Sequence, residues 1–153
     1  MIQRIQSLYL LMAAILNSLL FIFPLNEMIS SNHILTISVL GIFEQTDNQA
    51  TLIADLFPLL AINVVSLLLS LISIFLYKNR KAQMRLTIYN SIINLSIALL
   101  ALFYASQIAS IHNINLGFSI GLMFPFIGAF LSFIAFKAIK KDDNLIKSVD
   151  RIR

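Results

Sequence analysis

Asparagine and serine side chains lie inside long apolar stretches of this chain, and side chains of these types at this spacing could bind a solute or one another. They are Asn17 in the first stretch, Asn63, Ser66, Ser70 and Ser73 in the second, and Asn90, Ser91, Asn94 and Ser96 in the third. Asn90 and Asn94 are four residues apart, so they share one face of a helix. Such a seam could line a small conduit or join helices by hydrogen bonds. We favour hydrogen bonding, because no titratable group lies deep enough to relay protons or balance an ion.

Titratable residues that could bind a metal or act as acids and bases lie in the connections between these stretches. They are Glu27, His33, Glu44, Asp47, Asp55 and His112. They show no recognised ligand spacing, and the chain has no P-loop, GxGxxG or HExxH motif and no cysteine. We therefore predict no catalytic residue, no metal site and no cofactor. Asp55 lies three residues before Pro58, where it is predicted to cap the N-terminus of the second helix.

Small residues in the fourth apolar stretch form a further candidate contact. Gly117 and Gly121 make a GxxxG pair, and Pro125 and Gly128 continue nearly the same face of the predicted helix. Glycines at this spacing let another helix approach closely, and a proline can kink the helix that carries it. The face is therefore predicted to pack within the four-helix unit or to form the seam of a dimer.

The elements that position these residues follow from composition and length. Apolar residues make up 59% of the 153-residue chain and charged residues 12%, far from the balance of a water-soluble domain. Apolar stretches run over about 5–23, 56–77, 86–109 and 116–136. Each is near the roughly 20 residues that cross a bilayer as a helix. They do not alternate as barrel strands would. We predict an all-α membrane protein, with four transmembrane helices in a single up-down bundle covering residues 1–153.

Basic residues predict the orientation of the chain. All eleven fall before the first stretch, between the second and third, and after the fourth: Arg4, then Lys78, Arg80, Lys81 and Arg85, then Lys137, Lys140, Lys141, Lys147, Arg151 and Arg153. The other two connections contain none. Since positive residues stay on the cytoplasmic side, both termini are predicted to be cytoplasmic. The basic clusters flank spans and carry no stacking aromatic pattern, so we predict no nucleic-acid site.

Three further segments carry predictions: the first apolar stretch, the loop between the first two stretches, and the C-terminal tail. The first stretch is longer than a signal-peptide core and lacks a cleavage site, so it is predicted to be an uncleaved anchor. Within the extracytoplasmic loop 24–55, β-branched residues flank a polar turn at Asp47-Asn48, which indicates a small β-hairpin or an irregular interfacial loop. The cytoplasmic tail 137–153 has apolar residues at helical spacing, so it is predicted to continue the fourth helix or to bend onto the membrane surface.

Both ends of the chain and its central basic loop carry a family resemblance. The segments MIQRIQSLYLLMAAILN, FLYKNRKAQMRL and KAIKKDDNLIKSVDRIR resemble those of a bacterial family catalogued as Domain of Unknown Function 4293. The resemblance covers essentially the whole chain, although the outer loop 26–51 matches no pattern. It implies a small four-span protein of the inner membrane of a Gram-negative bacterium. It implies no activity, substrate or functional residue.

Three classes of function are consistent with these features. The leading hypothesis is a non-enzymatic accessory or interaction protein of the bacterial inner membrane, whose partners are membrane lipid and either other membrane proteins or a second copy of itself. The second is a transporter or channel component that uses the Asn/Ser-lined helix interface. A membrane enzyme that uses Asp55, His33 or His112 is the least favoured, because no nucleophile, base and acid can be assembled at one face.

Overall fold

Four α-helices and a small antiparallel sheet make up the part of the chain that the computed structural model describes, residues 3–29, 34–46, 49–112 and 114–150. The helices are α1 (Gln3–Leu19), α2 (Phe57–Phe75), α3 (Arg80–His112) and α4 (Met123–Asp150), and the strands are β1 (Asn26–Ile29), β2 (Ile34–Ile37), β3 (Gly41–Thr46) and β4 (Gln49–Asp55). The four predicted helices are present, but the all-α prediction is corrected, because the described chain is mostly helical with a small four-stranded sheet. His33, the Asp47-Asn48 turn, Arg151 and Arg153 lie outside the described residues.

Each helix packs against its neighbours in the chain, and α4 closes the ring against α1. Successive helices run in opposite directions: near the end of α1, Asn17 contacts the first half of α2, while Ser73 near the end of α2 contacts Gln83 near the start of α3. A short 3₁₀ helix, Leu76–Lys78, connects α2 to α3. The sheet therefore lies at one end of the bundle, and the start of α3 and the second half of α4 lie at the other, which we call the basic end.

Three helices are long and apolar enough to cross a membrane, by length and composition. They are Phe57–Phe75, Arg80–His112 and the segment Ile120–Leu145, while Ile5–Leu19 is a shorter apolar helix. At 1.5 Å per residue, the 33 residues of α3 extend about 50 Å, well beyond about 30 Å of hydrocarbon. The helix is therefore longer than the hydrocarbon core of a bilayer is thick. Its C-terminal part packs against the sheet.

The first and fourth helices differ from the predicted spans at the sheet end. The first was predicted to reach Phe23, but α1 ends at Leu19 in a hydrogen-bonded turn in which the Phe23 amide donates to the Leu19 carbonyl. The fourth was predicted to begin near Leu116, but the chain is extended there, forms a 3₁₀ turn at Ile120–Leu122, and enters α4 only at Met123. Pro125 consequently lies in the first turn of α4, where a proline breaks no helical hydrogen bond and causes no kink.

The described residues between α1 and α2 form a four-stranded antiparallel sheet in the order β1-β2-β3-β4. The predicted hairpin exists as the β3–β4 pair, but the stretch that precedes the predicted turn folds into two strands, β2 and β3. They turn through Val39 and Leu40, with hydrogen bonds between the backbones of Ser38 and Gly41. Asp55 ends β4, and α2 starts after Leu56 without a side-chain cap. The prediction of an Asp55 cap is therefore wrong.

Polar side chains are buried in one part of the bundle, and apolar side chains are exposed along its whole surface. The buried positions of α3 follow one helix face and change from polar to apolar along it: Gln83, Thr87, Asn90 and Asn94, then Ile97, Ala98, Ala101, Ala105 and Ala109. On the exposed surface of the helices stand large apolar side chains such as Leu8, Ile15, Leu68, Ile72, Ile92, Leu99 and Phe103. A water-soluble bundle shows the reverse arrangement.

Candidate functional site: a buried asparagine–serine network and an exposed sheet edge

The four asparagines singled out in the sequence converge in the middle of the bundle. Asn17 comes from α1, Asn63 from α2, and Asn90 and Asn94 from α3, and all four are fully buried. They meet because each lies on the face that its helix turns toward its neighbours. Serines complete the cluster, and they are Ser66, Ser70 and Ser132. We call these seven residues the polar network.

Ser66 is the centre of the polar network. Its hydroxyl donates to Asn90 Oδ1 (2.8 Å) and accepts from Asn17 Nδ2 (2.9 Å) and Asn94 Nδ2 (2.8 Å). A hydroxyl has one hydrogen to donate and two lone pairs, so these three bonds use its full capacity. Ser66 on α2 thereby connects α1 and α3.

Asn90 extends the polar network to α4. Its Nδ2 donates to Ser70 Oγ on α2 (2.8 Å) and to Ser132 Oγ on α4 (3.0 Å). Its own backbone carbonyl accepts from Asn94 Nδ2 (2.9 Å). At the sheet side of the network, Asn63 Nδ2 donates to the backbone carbonyl of Asn17 (3.3 Å). Side chains from all four helices are therefore hydrogen-bonded in one cluster.

Gly128 on α4 gives the polar network its space. A Cβ atom there would lie 3.0 Å from Asn94 Oδ1 and 3.8 Å from Asn17 Oδ1. These two amide oxygens and Asn63 Oδ1 have no hydrogen-bond partner among the described residues. The amide N–H donors of the polar network are therefore hydrogen-bonded, while these three amide oxygens remain as acceptors among the described residues. Amides and hydroxyls do not titrate near neutral pH, so the polar network can accept hydrogen bonds but cannot exchange protons as an acid or base.

Gly117 and Gly121 do not share a helix face, because both lie before α4. Each stands against the backbone of the turn and strand that follow α1: a Cβ at Gly117 would overlap the carbonyl of Glu27, and one at Gly121 would overlap the carbonyl of Pro24. Asn26, which is fully buried, donates from Nδ2 to the Gly117 carbonyl (3.0 Å). The two glycines thus serve a close contact between two backbone segments at the sheet end. Pro125, in the first turn of α4, is also buried.

The sheet has one buried face and one exposed edge. Met28, Leu35 and Ile37 face the helices and are buried. At the other edge lies β4, which in the described chain pairs only with β3 and whose residues 51–55 are all exposed. Leu52 and Ile53, on opposite faces of a strand, are each 51% exposed. An edge strand exposed on both faces can pair with an extended segment of another chain.

Comparison with known proteins identifies the family. The family described as Domain of unknown function (DUF4293) matches residues 2–152, nearly the whole chain. The chain belongs to this family. The resemblance noted at the two ends and in the central basic loop is therefore confirmed. No curated protein matches this member of the DUF4293 family.

Among the described residues of this DUF4293 protein, no three His, Cys, Asp or Glu side chains come close enough to hold a metal ion. His112 is exposed at the end of α3. A contact that the sequence did not predict lies at the basic end, where Arg80 Nη1 and Asp142 Oδ2 form a salt bridge of 2.7 Å between α3 and α4. Since the two residues are 62 positions apart in the printed numbering, no local spacing could have indicated it.

Proposed function

We propose that this protein is an integral protein of the bacterial inner membrane, with the sheet end outside the cytoplasm and both termini inside. The distribution of side chains supports this placement, because Leu, Ile and Phe cover the exposed surface of the helices while Asn and Ser are buried in the middle of the bundle. Hydrocarbon solvates the exposed apolar side chains, and helices in lipid associate through small and polar residues. The nine basic residues within the described part of the chain belong to the segments at the end opposite the sheet, and basic residues favour the cytoplasmic side.

The orientation is tested with a reporter that works only outside the cytoplasm. Fused near Asn48, in the β3–β4 connection, it should be active, and fused near Asn79, between α2 and α3, it should be inactive. The opposite pair of results would overturn the orientation. Extraction of the unfused protein from membranes by alkaline carbonate would overturn the membrane placement itself.

We propose further that the protein acts without enzymatic chemistry, by binding an extended segment of another envelope protein along β4. The exposed edge of β4 carries this proposal. Its backbone groups are available for pairing, and the alternating side chains of a strand would give the contact specificity. In this proposal the polar network holds the helices together and takes no direct part in the binding.

Crosslinking tests the binding function. Because the chain has no native cysteine, each variant carries a single reactive thiol at the chosen position. We expect an Ile53→Cys variant to give a discrete, reproducible adduct in intact membranes with a short thiol crosslinker. The matched control is Leu99→Cys on α3, where the side chain is similarly exposed at 58% but faces lipid in this orientation. Equal adduct patterns at the two positions, or none at Ile53→Cys, would contradict the proposal.

A transport function is the competing proposal, and the three amide oxygens without partners are the observation that favours it. Solute or ion flux into vesicles containing the pure protein, abolished in the double variant Asn63→Leu and Asn94→Leu, would support transport. Flux equal to that of empty vesicles would remove this competing function. A variant that is changed only at Ile53 separates the two functions, because it alters the sheet edge and leaves the polar network intact.

A further inference from the structure

A groove of about 350 Å³ lies between α3 and α4 at the basic end. Three cationic side chains line it, Lys81 and Arg85 from α3 and Lys140 from α4, and all three are exposed. Lys81 and Arg85 are one helical turn apart and project on the same side of α3. Asp143 and Asn144 complete the polar rim, so the groove carries three positive side chains and one carboxylate.

Contacts between the two helices fix the width of the groove. The Arg80–Asp142 salt bridge joins α3 to α4 immediately beside it, with side chains only 23% and 15% exposed. About three helical turns further along α3, Ser91 Oγ donates to the Ala129 carbonyl of α4 (2.9 Å). The groove therefore lies between two points where α3 and α4 are held together, and it does not depend on the position of a loop.

The lining changes from charged to apolar in the same direction on both helices. Along α3 it runs from Lys81 through Met84 and Arg85 to Ile88, and along α4, which is antiparallel, it runs from Lys140 to Phe136. The Lys140 ammonium lies 5.9 Å from the centre of the Phe136 ring. A ligand that fits this gradient has an anionic head and an apolar tail parallel to the helices. A free phosphate ion would leave the apolar part of the groove unfilled.

We propose that this groove is a binding site for an anionic phospholipid, with the phosphate between Lys81, Arg85 and Lys140 and an acyl chain along Ile88 and Phe136. The site rests on the membrane placement proposed above, which puts the basic end at the cytoplasmic surface. Basic pockets between helices at that depth recognise anionic headgroups. An anionic glycerophospholipid such as phosphatidylglycerol fits the groove, because its phosphate can contact the three cationic side chains while an acyl chain covers the apolar lining.

Retention of lipid by the full chain, measured by native mass spectrometry from nanodiscs, tests the site. We expect phosphatidylglycerol to be retained at one molecule per chain and phosphatidylcholine to be lost. The double variant Arg85→Gln and Lys140→Gln should weaken phosphatidylglycerol binding roughly thirtyfold, since each charge near an anionic surface is worth about a fivefold change. The control, Lys137→Gln with Lys141→Gln, removes the same charge from α4 outside the groove and should weaken binding about threefold or less. Equal losses in the two double variants would overturn the site.

Two further measurements keep the test decisive if the charge variant folds poorly. Ile88→Trp fills the apolar part of the groove without changing the charge, and it should also abolish retention; full retention would contradict the proposal. Inorganic phosphate at millimolar concentration should not displace the lipid, and displacement would show an anion site without lipid specificity. If the protein resists carbonate extraction but shows no preference for phosphatidylglycerol, the lipid site in the groove is contradicted and the membrane placement is not.

Discussion

The helices are held together in two different ways at the middle of the bundle and at its sheet end. In the middle, side chains contact side chains, and the contacts are the hydrogen bonds of Ser66, Asn90 and Asn94. At the sheet end, backbone lies against backbone at Gly117, and the surrounding core is apolar, from Leu20 and Met28 to Ala105. Polar side chains can adjust by rotation, whereas two backbones in contact cannot. The sheet end should therefore be the less tolerant of the two regions.

Gly117→Ala is the strongest test of this comparison. Its Cβ would overlap the Glu27 carbonyl, which belongs to β1 and cannot move without shifting the strand. Overpacking of this kind typically costs up to about 3 kcal/mol, and we expect a loss of that size in the free energy of unfolding, measured by SDS titration in mixed micelles with circular dichroism. Asn115→Ala, at an exposed position of the same segment, is the control. A loss no larger than that of the control would refute the rigid contact.

Asn90→Leu should give the second largest effect. The substitution keeps the approximate side-chain volume but removes three side-chain hydrogen bonds, to Ser66, Ser70 and Ser132. At about 0.6 kcal/mol for each bond between helices in lipid, the expected loss is about 2 kcal/mol in the same titration. Ser96→Ala, which removes an exposed hydroxyl bonded within its own helix, should change the stability little. If both variants are equally stable, the polar network does not hold the bundle.

Gly128→Ala measures how far the polar network can adjust. Its Cβ would meet Asn94 Oδ1 at 3.0 Å and Asn94 Cγ at 3.4 Å, atoms of a side chain that can rotate. The expected loss is about 1 kcal/mol, the lower end of the range for overpacking, and clearly less than for Gly117→Ala. In an Asn94→Ala background the same change should cost almost nothing. Additive losses in the double variant would show that Asn94 is not what the added methyl group meets.

Sequence patterns predicted the parts of the fold that hydropathy and spacing control. The long apolar stretches indicated α2, α3 and α4, because only helices satisfy the backbone over such lengths in an apolar solvent. The spacing of Asn90 and Asn94 placed both on one face, and the structure brings them together with Asn17 and Asn63. What the spacing could not give was the hydrogen-bond partners, since Ser132 is no more distinctive in the sequence than any other serine.

The ends of helices at the sheet end were not predictable from hydropathy. Residues 20–23 and 116–122 are as apolar as the helices beside them, yet the first form a turn and the second a non-helical segment followed by a 3₁₀ turn. The close contacts of Gly117 with Glu27 and of Gly121 with Pro24 join residues far apart in the chain, so no local pattern reports them. The strand β1 was missed for a similar reason, because its four residues are too few for an alternation of apolar and polar side chains to be recognised.

A pair of serines on α2 gives the smallest and most specific test of the polar network. Ser70 and Ser73 are both fully buried, but Ser70 Oγ accepts from Asn90 Nδ2 at 2.8 Å while Ser73 Oγ has no partner among the described residues. Ser70→Ala should therefore lower the free energy of unfolding by about 0.6 kcal/mol, the value of one such bond. Ser73→Ala should leave it unchanged or raise it slightly, because a buried hydroxyl without a partner is itself unfavourable. The two substitutions are identical in chemistry, helix and burial, so a difference between them reports the bond to Asn90 together with any gain from removing the Ser73 hydroxyl. A larger loss at Ser73 would mean that burial of the hydroxyl, and not its place in the polar network, determines its contribution.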